Sequence, residues 1–146
     1  MLSAEWDQAQ AQYTLTIRSS IACFEASGTI TRKSAAAALQ RFYDAYPLER
    51  PDVTGALALY DRCNLQATMV DLFLIYKDAV DNGLPMDVPV AVVVPEWAYG
   101  LAKEYCELQR QSGVIRDAFL SRDAAMEWVE QQAALVVLQR RARLGG

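Results

Sequence analysis

Apolar runs along the chain predict five β-strands. In residues 13–17 every second side chain is apolar (Tyr13, Leu15 and Ile17), which is the pattern of a half-buried strand. A second run at 21–26 follows three polar residues, so we expect an antiparallel hairpin whose second strand ends at Ser27-Gly28. Three further apolar runs predict strands at 55–60, 88–94 and 114–120.

Segments with a helical spacing of apolar residues separate these strands. They predict four helices, at about 32–46, 68–81, 95–112 and 122–138. Thr29 or Thr31 can cap the first helix, and Ser121 can cap the fourth. Pro95 in the first turn and Gly113 after the last turn bound the third.

The order of the predicted elements is β-β-α-β-α-β-α-β-α, which indicates the α/β class. Right-handed crossovers between parallel strands then give a five-stranded mixed, mostly parallel sheet with an N-terminal antiparallel hairpin and four helices. A chain of 146 residues is expected to form one domain. We place a polar leader at 1–11, the α/β domain at 12–132, and a helical extension with a basic tail at 133–146.

The chain contains no histidine, which restricts its chemistry. This removes the commonest general base, the Ser-His and Cys-His nucleophile pairs and most zinc sites. A nucleophilic Cys63 would have no histidine to activate it, and the three cysteines are spaced singly. The carboxylate pairs Asp61 and Asp71, or Asp78 and Asp81, do not have the spacing of a glycosidase or a metal site. We therefore expect no catalytic residues, no metal and no cofactor.

The net charge and the hydropathy of the chain limit the classes of partner and the cellular location that we expect. The net charge of −4 argues against nucleic-acid binding, which normally requires a basic surface. No apolar run approaches the ~20 residues that span a bilayer, so no transmembrane segment is expected. Residues 1–12 lack the apolar core of a signal peptide, which predicts a cytoplasmic protein.

Three segments together carry a family resemblance. Gly28-Thr29-Ile30-Thr31 follows the second predicted strand, and Leu57-Ala58-Leu59-Tyr60-Asp61 forms a third strand ending in an acidic residue. Residues 90–130 read VAVVVPEWAYGLAKEYCELQRQSGVIRDAFLSRDAAMEWVE. This is a strand, a Pro with an acidic residue, an aromatic-Gly-Leu-Ala helix, another strand and an Ala-x-x-Trp helix. Over about residues 12–132 the chain resembles the STAS-like domains, and within them the small SpoIIAA-like stand-alone proteins of bacteria.

This resemblance implies a regulatory module that binds protein. In signalling members, a helix opened by Asp-Ser-Ser-Gly follows the third strand, and a partner kinase phosphorylates one of the serines. The corresponding stretch here is Gln66-Ala67-Thr68-Met69, in which only Thr68 keeps a hydroxyl. The resemblance thus implies a degenerate phospho-switch at Thr68, and the alternative is that Thr68 is only an N-cap.

The carboxyl ends of the predicted parallel strands are the favoured place for recognition, because ligands of open α/β sheets bind at that edge. The candidate interaction or switch residues there are Asp61, Asn64, Gln66, Thr68, Glu96 and Trp97. The alternative is that Asp61 and Asn64 are ordinary loop residues that satisfy nearby amides.

Two other expectations concern what the domain binds. The apolar residues on both sides of helix 69–80, and those at 133–138, exceed what one sheet face requires, which predicts a homo-oligomer. Because STAS-like domains are similar to Sec14-type lipid carriers, an alternative function is binding of a small apolar ligand or lipid. The side chains proposed to line that site are Tyr60, Phe73, Trp97 and Tyr99.

Overall fold

The computed structural model describes residues 2–8, 11–34, 37, 53–66 and 88–145. Within these ranges the strands are β1 (Leu2–Gln8), β2 (Ala11–Arg18), β3 (Ile21–Thr31), β4 (Gly55–Gln66), β5 (Val90–Val93) and β6 (Arg116–Phe119). A 3-10 turn (Glu96–Ala98) leads into α1 (Tyr99–Gln111), and α2 (Arg122–Gly145) ends the described chain. Residues 32–34 and 37 are also helical.

These strands form one sheet in the order β1-β2-β3-β4-β5-β6. The pairs β1–β2 and β2–β3 are antiparallel, and the three pairs that follow are parallel. The predicted α/β class and mixed, mostly parallel sheet are therefore confirmed. The described residues contain six strands instead of the five predicted. They contain three complete helical elements, of which the 3-10 turn and α1 together correspond to the helix predicted at 95–112. The helix predicted at 68–81 and most of the one at 32–46 lie outside the described residues.

The additional strand is β1, in the segment interpreted as a polar leader. Leu2, Ala4 and Trp6 alternate with polar residues, and the strand pairs with β2 from Leu2–Ile17 to Gln8–Ala11. This alternation is typical of a strand, but the polar and acidic composition of residues 1–11 led to their prediction as a leader. Residues 2–8 thus extend the sheet instead of preceding it.

Two predicted strand ends were wrong. β3 does not stop at Ser27-Gly28, because Gly28 continues the strand with a left-handed φ of 86°. β4 runs past Tyr60 to Gln66, so Asp61 and Asn64 lie in a strand and not in a loop. A β-bulge permits this longer pairing, since Glu25 pairs with Leu59 but Ser27 pairs with Arg62, which leaves one extra residue on β4.

One face of the sheet is covered by α2. The cluster there joins β3, β4, β5 and α2 and consists of Ile21, Leu57, Leu59, Ala91, Val93, Ala125 and Val129. The close approach depends on Gly55, where a Cβ would meet Val129 Cγ2 at 3.1 Å and Ala133 Cβ at 3.4 Å. The predicted extension at 133–146 continues α2 without a break as far as Gly145, and Ala133 and Val136 are buried.

The helix boundaries follow local side-chain chemistry. The Ser34 amide donates to Thr31 Oγ1 at 3.1 Å and the Thr31 amide to Ser34 Oγ at 2.9 Å, a reciprocal cap that confirms Thr31 as the N-cap. The Ala124 amide donates to Ser121 Oγ at 3.2 Å, which confirms the cap of α2. Gly113, with a φ of 87°, follows the end of α1 as predicted.

Candidate functional site

The carboxyl ends of β4 and β5 form a step. The last β4–β5 pair joins Leu59 to Val93, whereas β4 continues seven residues further to Gln66 alongside β3. Glu96 and Trp97 lie in the 3-10 turn that immediately follows β5. All the described candidate residues therefore lie beyond the last β4–β5 pair, at the edge where α/β sheets bind ligands.

Asp61 is engaged in an ion pair within the fold. Arg122 Nε donates to Asp61 Oδ2 at 2.9 Å, and Arg122 Nη2 donates to Asp61 Oδ1 at 3.0 Å, which is a bidentate pair. A third group, Glu25, forms an ion pair with Arg122 Nη1. The cluster ties β3 and β4 to the first residue of α2, so Asp61 has a positioning role in the fold.

The electrostatics of this cluster keep Asp61 and Arg122 charged. Burial raises the pKa of Asp61, but the hydrogen bonds and charge of Arg122 outweigh burial, and the net pKa lies below the ordinary 3.8. Hydrogen bonding to Asp61 correspondingly raises the pKa of Arg122. An ionised, hydrogen-bonded Asp61 is unsuited to general-acid chemistry at neutral pH.

Asn64 and Gln66 are exposed on the extension of β4. They pair in register with Thr29 and Thr31 of β3, so alternation along β4 places them on one face of the sheet with Arg62. These side chains offer amide donors and acceptors to a partner, with no group that could act as a nucleophile.

Glu96 and Trp97 are exposed in the turn after β5. The Trp97 side chain is 63% exposed, whereas Ala98 beside it is buried. Among the described residues, no hydrogen bond or ion pair connects Asn64 or Gln66 to Glu96 or Trp97, although all four share one edge. Thr68, the sixth candidate, lies outside the described residues.

Cys63 is buried beneath this edge. Its thiol donates to the Ala26 carbonyl oxygen at 3.1 Å. Burial, with the nearby charges of Asp61 and Glu25, raises the pKa of the thiol to about 12. The thiol therefore remains protonated at neutral pH, the unreactive state of a cysteine.

Of the residues proposed to line an apolar-ligand site, two contact one cluster and a third is largely exposed. Tyr60 packs against Phe24, with ring centroids 6.2 Å apart, and burial raises its pKa to about 12. Tyr60 and Tyr99 both contact the cluster of Val92, Val94 and Ala98, whereas Trp97 is largely exposed. Phe73 lies outside the described residues.

The described part of the chain holds neither a candidate metal site nor a candidate membrane-spanning helix. In the described ranges, no three His, Cys, Asp or Glu side chains are grouped so that they could hold a metal ion. None of the helices described is both long and apolar enough to cross a membrane.

Arg122 and Glu25 are the members of this edge that sequence reasoning missed. A signal was present in the first helical turn, because a cation directly after the N-cap Ser121 opposes the helix dipole. Carboxylate partners stabilise such an arginine, but which residues supply them depends on the sheet register.

The mixed sheet, with the helix α2 packed across one of its faces, defines an α/β protein. A solved structure with a similar fold describes the class of the protein more narrowly. The chain is similar to the crystal structure of an uncharacterized protein of the DUF3478 family from Shewanella loihica PV-4, which is described as having a SpoIIAA-like fold. The two are 15% identical, with a TM-score of 0.50 over 82% of this chain and 93% of that one. No family model and no curated protein matches the chain. The resemblance to SpoIIAA-like proteins is thereby confirmed for the fold.

Proposed function

We propose that the protein is a non-catalytic cytoplasmic module that binds another protein through the carboxyl edge of its sheet. The observation that carries this proposal is the 63% exposure of Trp97 in the turn after β5. Tryptophan is enriched among the residues that dominate binding energy in protein interfaces. Its indole supplies a large apolar area and one N–H donor, and the exposed Glu96 adds charge beside it.

The other groups at this edge favour binding over catalysis. Asp61 is held by Arg122, and Cys63 stays protonated. Asn64 and Gln66 can form hydrogen bonds with a partner but cannot carry acid–base chemistry. The regulatory role follows from the resemblance to STAS-like proteins and is part of the proposal.

A finer part of the proposal concerns Thr68, which follows the end of β4 by two residues. Phosphorylation would add about two negative charges two residues beyond the end of β4 in the sequence. A degenerate phospho-switch at Thr68 would therefore change the partner's affinity through charge.

Affinity capture from a lysate of the source organism tests this function. Trp97→Ala is expected to reduce recovery of a specific partner at least tenfold, because loss of a dominant interface tryptophan typically costs about 2 kcal/mol. The matched control is Leu108→Ala, since Leu108 is also 63% exposed but lies near the other end of α1. Thr68→Glu in the same experiment tests the switch.

The comparison is made by quantitative mass spectrometry on variants whose circular dichroism matches wild type. A set of captured proteins that is the same for wild type, Trp97→Ala and Leu108→Ala would contradict the proposed edge.

A further inference from the structure

The outer face of α2 is a second surface, which the proposed function does not use. Ala125, Val129, Ala133 and Val136 on the inner face are buried. On the opposite side Leu135 is 51% exposed and Leu138 is 60% exposed. An apolar pair at this spacing forms a short stripe along a helix.

Two opposite charges lie beyond the two ends of this stripe, both towards the same side of it. Glu130 and Arg141 are both exposed and are eleven residues apart, about three turns, so they lie on nearly the same side of α2. Their backbones are about 16 Å apart along the helix, beyond the Debye length of about 8 Å. Within the described chain neither side chain has an ion-pair partner.

The helix dipole does not account for the position of Glu130. It favours acids in the first turn and bases in the last turn. Those places are taken by Asp123 and Arg143, whereas Glu130 lies about two turns inside α2. The pair Glu130 and Arg141 therefore has the character of an interface charge pattern.

The pattern is complementary to itself when a second helix runs antiparallel. The midpoint of Leu135 and Leu138 lies between residues 136 and 137, and that of Glu130 and Arg141 lies between 135 and 136. These centres differ by one residue, so a register centred on the leucines offsets Glu130 from the facing Arg141 by two residues, about 3 Å, which long side chains can accommodate. One antiparallel register thus places leucine on leucine and glutamate opposite arginine.

We infer that α2 is the interface of a two-fold symmetric dimer, in which α2 of a second copy lies antiparallel across Leu135 and Leu138. Each Glu130 then pairs with Arg141 of the other copy, so the contact contains the same ion pair twice. An isologous contact of this kind closes after two subunits. The surface is small for a permanent assembly, so the dimer is expected to exchange with the monomer.

Sedimentation equilibrium over a concentration series tests the dimer. The wild-type mass should rise from 16.2 kDa towards twice that value. Glu130→Arg or Arg141→Glu alone should weaken association about tenfold, because each places like charges opposite one another. The double variant Glu130→Arg/Arg141→Glu should restore association, since the same pairs form with the signs exchanged.

Apolar variants complete the experiment. Leu138→Asp should abolish association, and Leu108→Asp, an equally apolar and exposed position on α1, should leave it unchanged. A wild-type mass of 16.2 kDa at every concentration would overturn the inference, as would a double variant no better than the single ones. Because this surface excludes Trp97, the result is independent of the partner-capture experiment.

Discussion

Arg122 connects distant parts of the chain through one side chain. It is the first residue of α2, and its guanidinium pairs with Asp61 on β4 and Glu25 on β3. A cation at a helix N-terminus is unfavourable by itself, so the two carboxylates offset the dipole at this position. The cluster positions the start of α2 against the strands whose ends form the candidate site.

The Asp61–Arg122 pair should make the free energy of unfolding depend on pH in the acidic range. The pKa of Asp61 is below 3.8 in the folded protein, so the pair stabilises the fold above that pH and its contribution is lost as the pH falls further. We expect Asp61→Asn to lower the free energy of unfolding by about 1–2 kcal/mol at pH 7, and by much less near pH 2. Urea denaturation at both pH values measures the difference.

The exposed acid Asp123 in the first turn of α2 supplies the control. Asp123→Asn should change stability by about 0.5 kcal/mol through the dipole alone. An Asp61→Asn loss that is the same at pH 7 and pH 2 would contradict the electrostatic explanation.

The role of a residue could be predicted from the sequence only where it depends on residues nearby in the chain. The caps at Thr31 and Ser121 act over three residues, and each was read from the sequence. The bond from Arg122 to Asp61 spans 61 residues, so no local pattern could show it. Asp61, which is predicted to lie at a recognition edge, forms this ion pair within the fold.

At the scale of elements, the β2–β3 hairpin has an unusual turn. Ser19 and Ser20 have φ values of 51° and 67°, which glycine and asparagine adopt more readily than serine. The tight two-residue turn matches the strand twist, and the paired strands hold the serines in this conformation.

Replacing this turn should stabilise the protein. Ser19→Asn/Ser20→Gly is expected to raise the free energy of unfolding by about 1 kcal/mol, because Asn-Gly suits two positive φ values. Thermal or urea unfolding measures the gain. Ser112→Gly is the matched control, since Ser112 has a φ of −92° and should gain nothing. Equal effects in the two variants would argue against the conformational explanation.

Element types were more predictable than element ends. Strong apolar periodicity predicted strands β2 to β6 and the helices α1 and α2. The extension of β3 depends on Gly28 adopting a positive φ in a strand, and that of β4 depends on a bulge near Asp61. Both are consequences of pairing between strands, which a local pattern does not contain.

At the scale of the molecule, the outer side of α2 and the carboxyl edge of the sheet are two separate surfaces. α2 covers one face of the sheet through Gly55 and Val129, and its outer side carries the inferred self-contact. The carboxyl edge carries Asn64, Gln66, Glu96 and the exposed Trp97. A dimer through α2 would leave this edge available, so each subunit could bind its own partner.

We propose that the edge at Trp97 contacts another protein in the cell. Site-specific photocrosslinking tests this most directly, with a benzoyl-phenylalanine residue at position 97 and, as a control, at the equally exposed position 108. We expect a discrete crosslinked product with a different protein from position 97 and none from position 108. No product from position 97, or the same product from both positions, would contradict it.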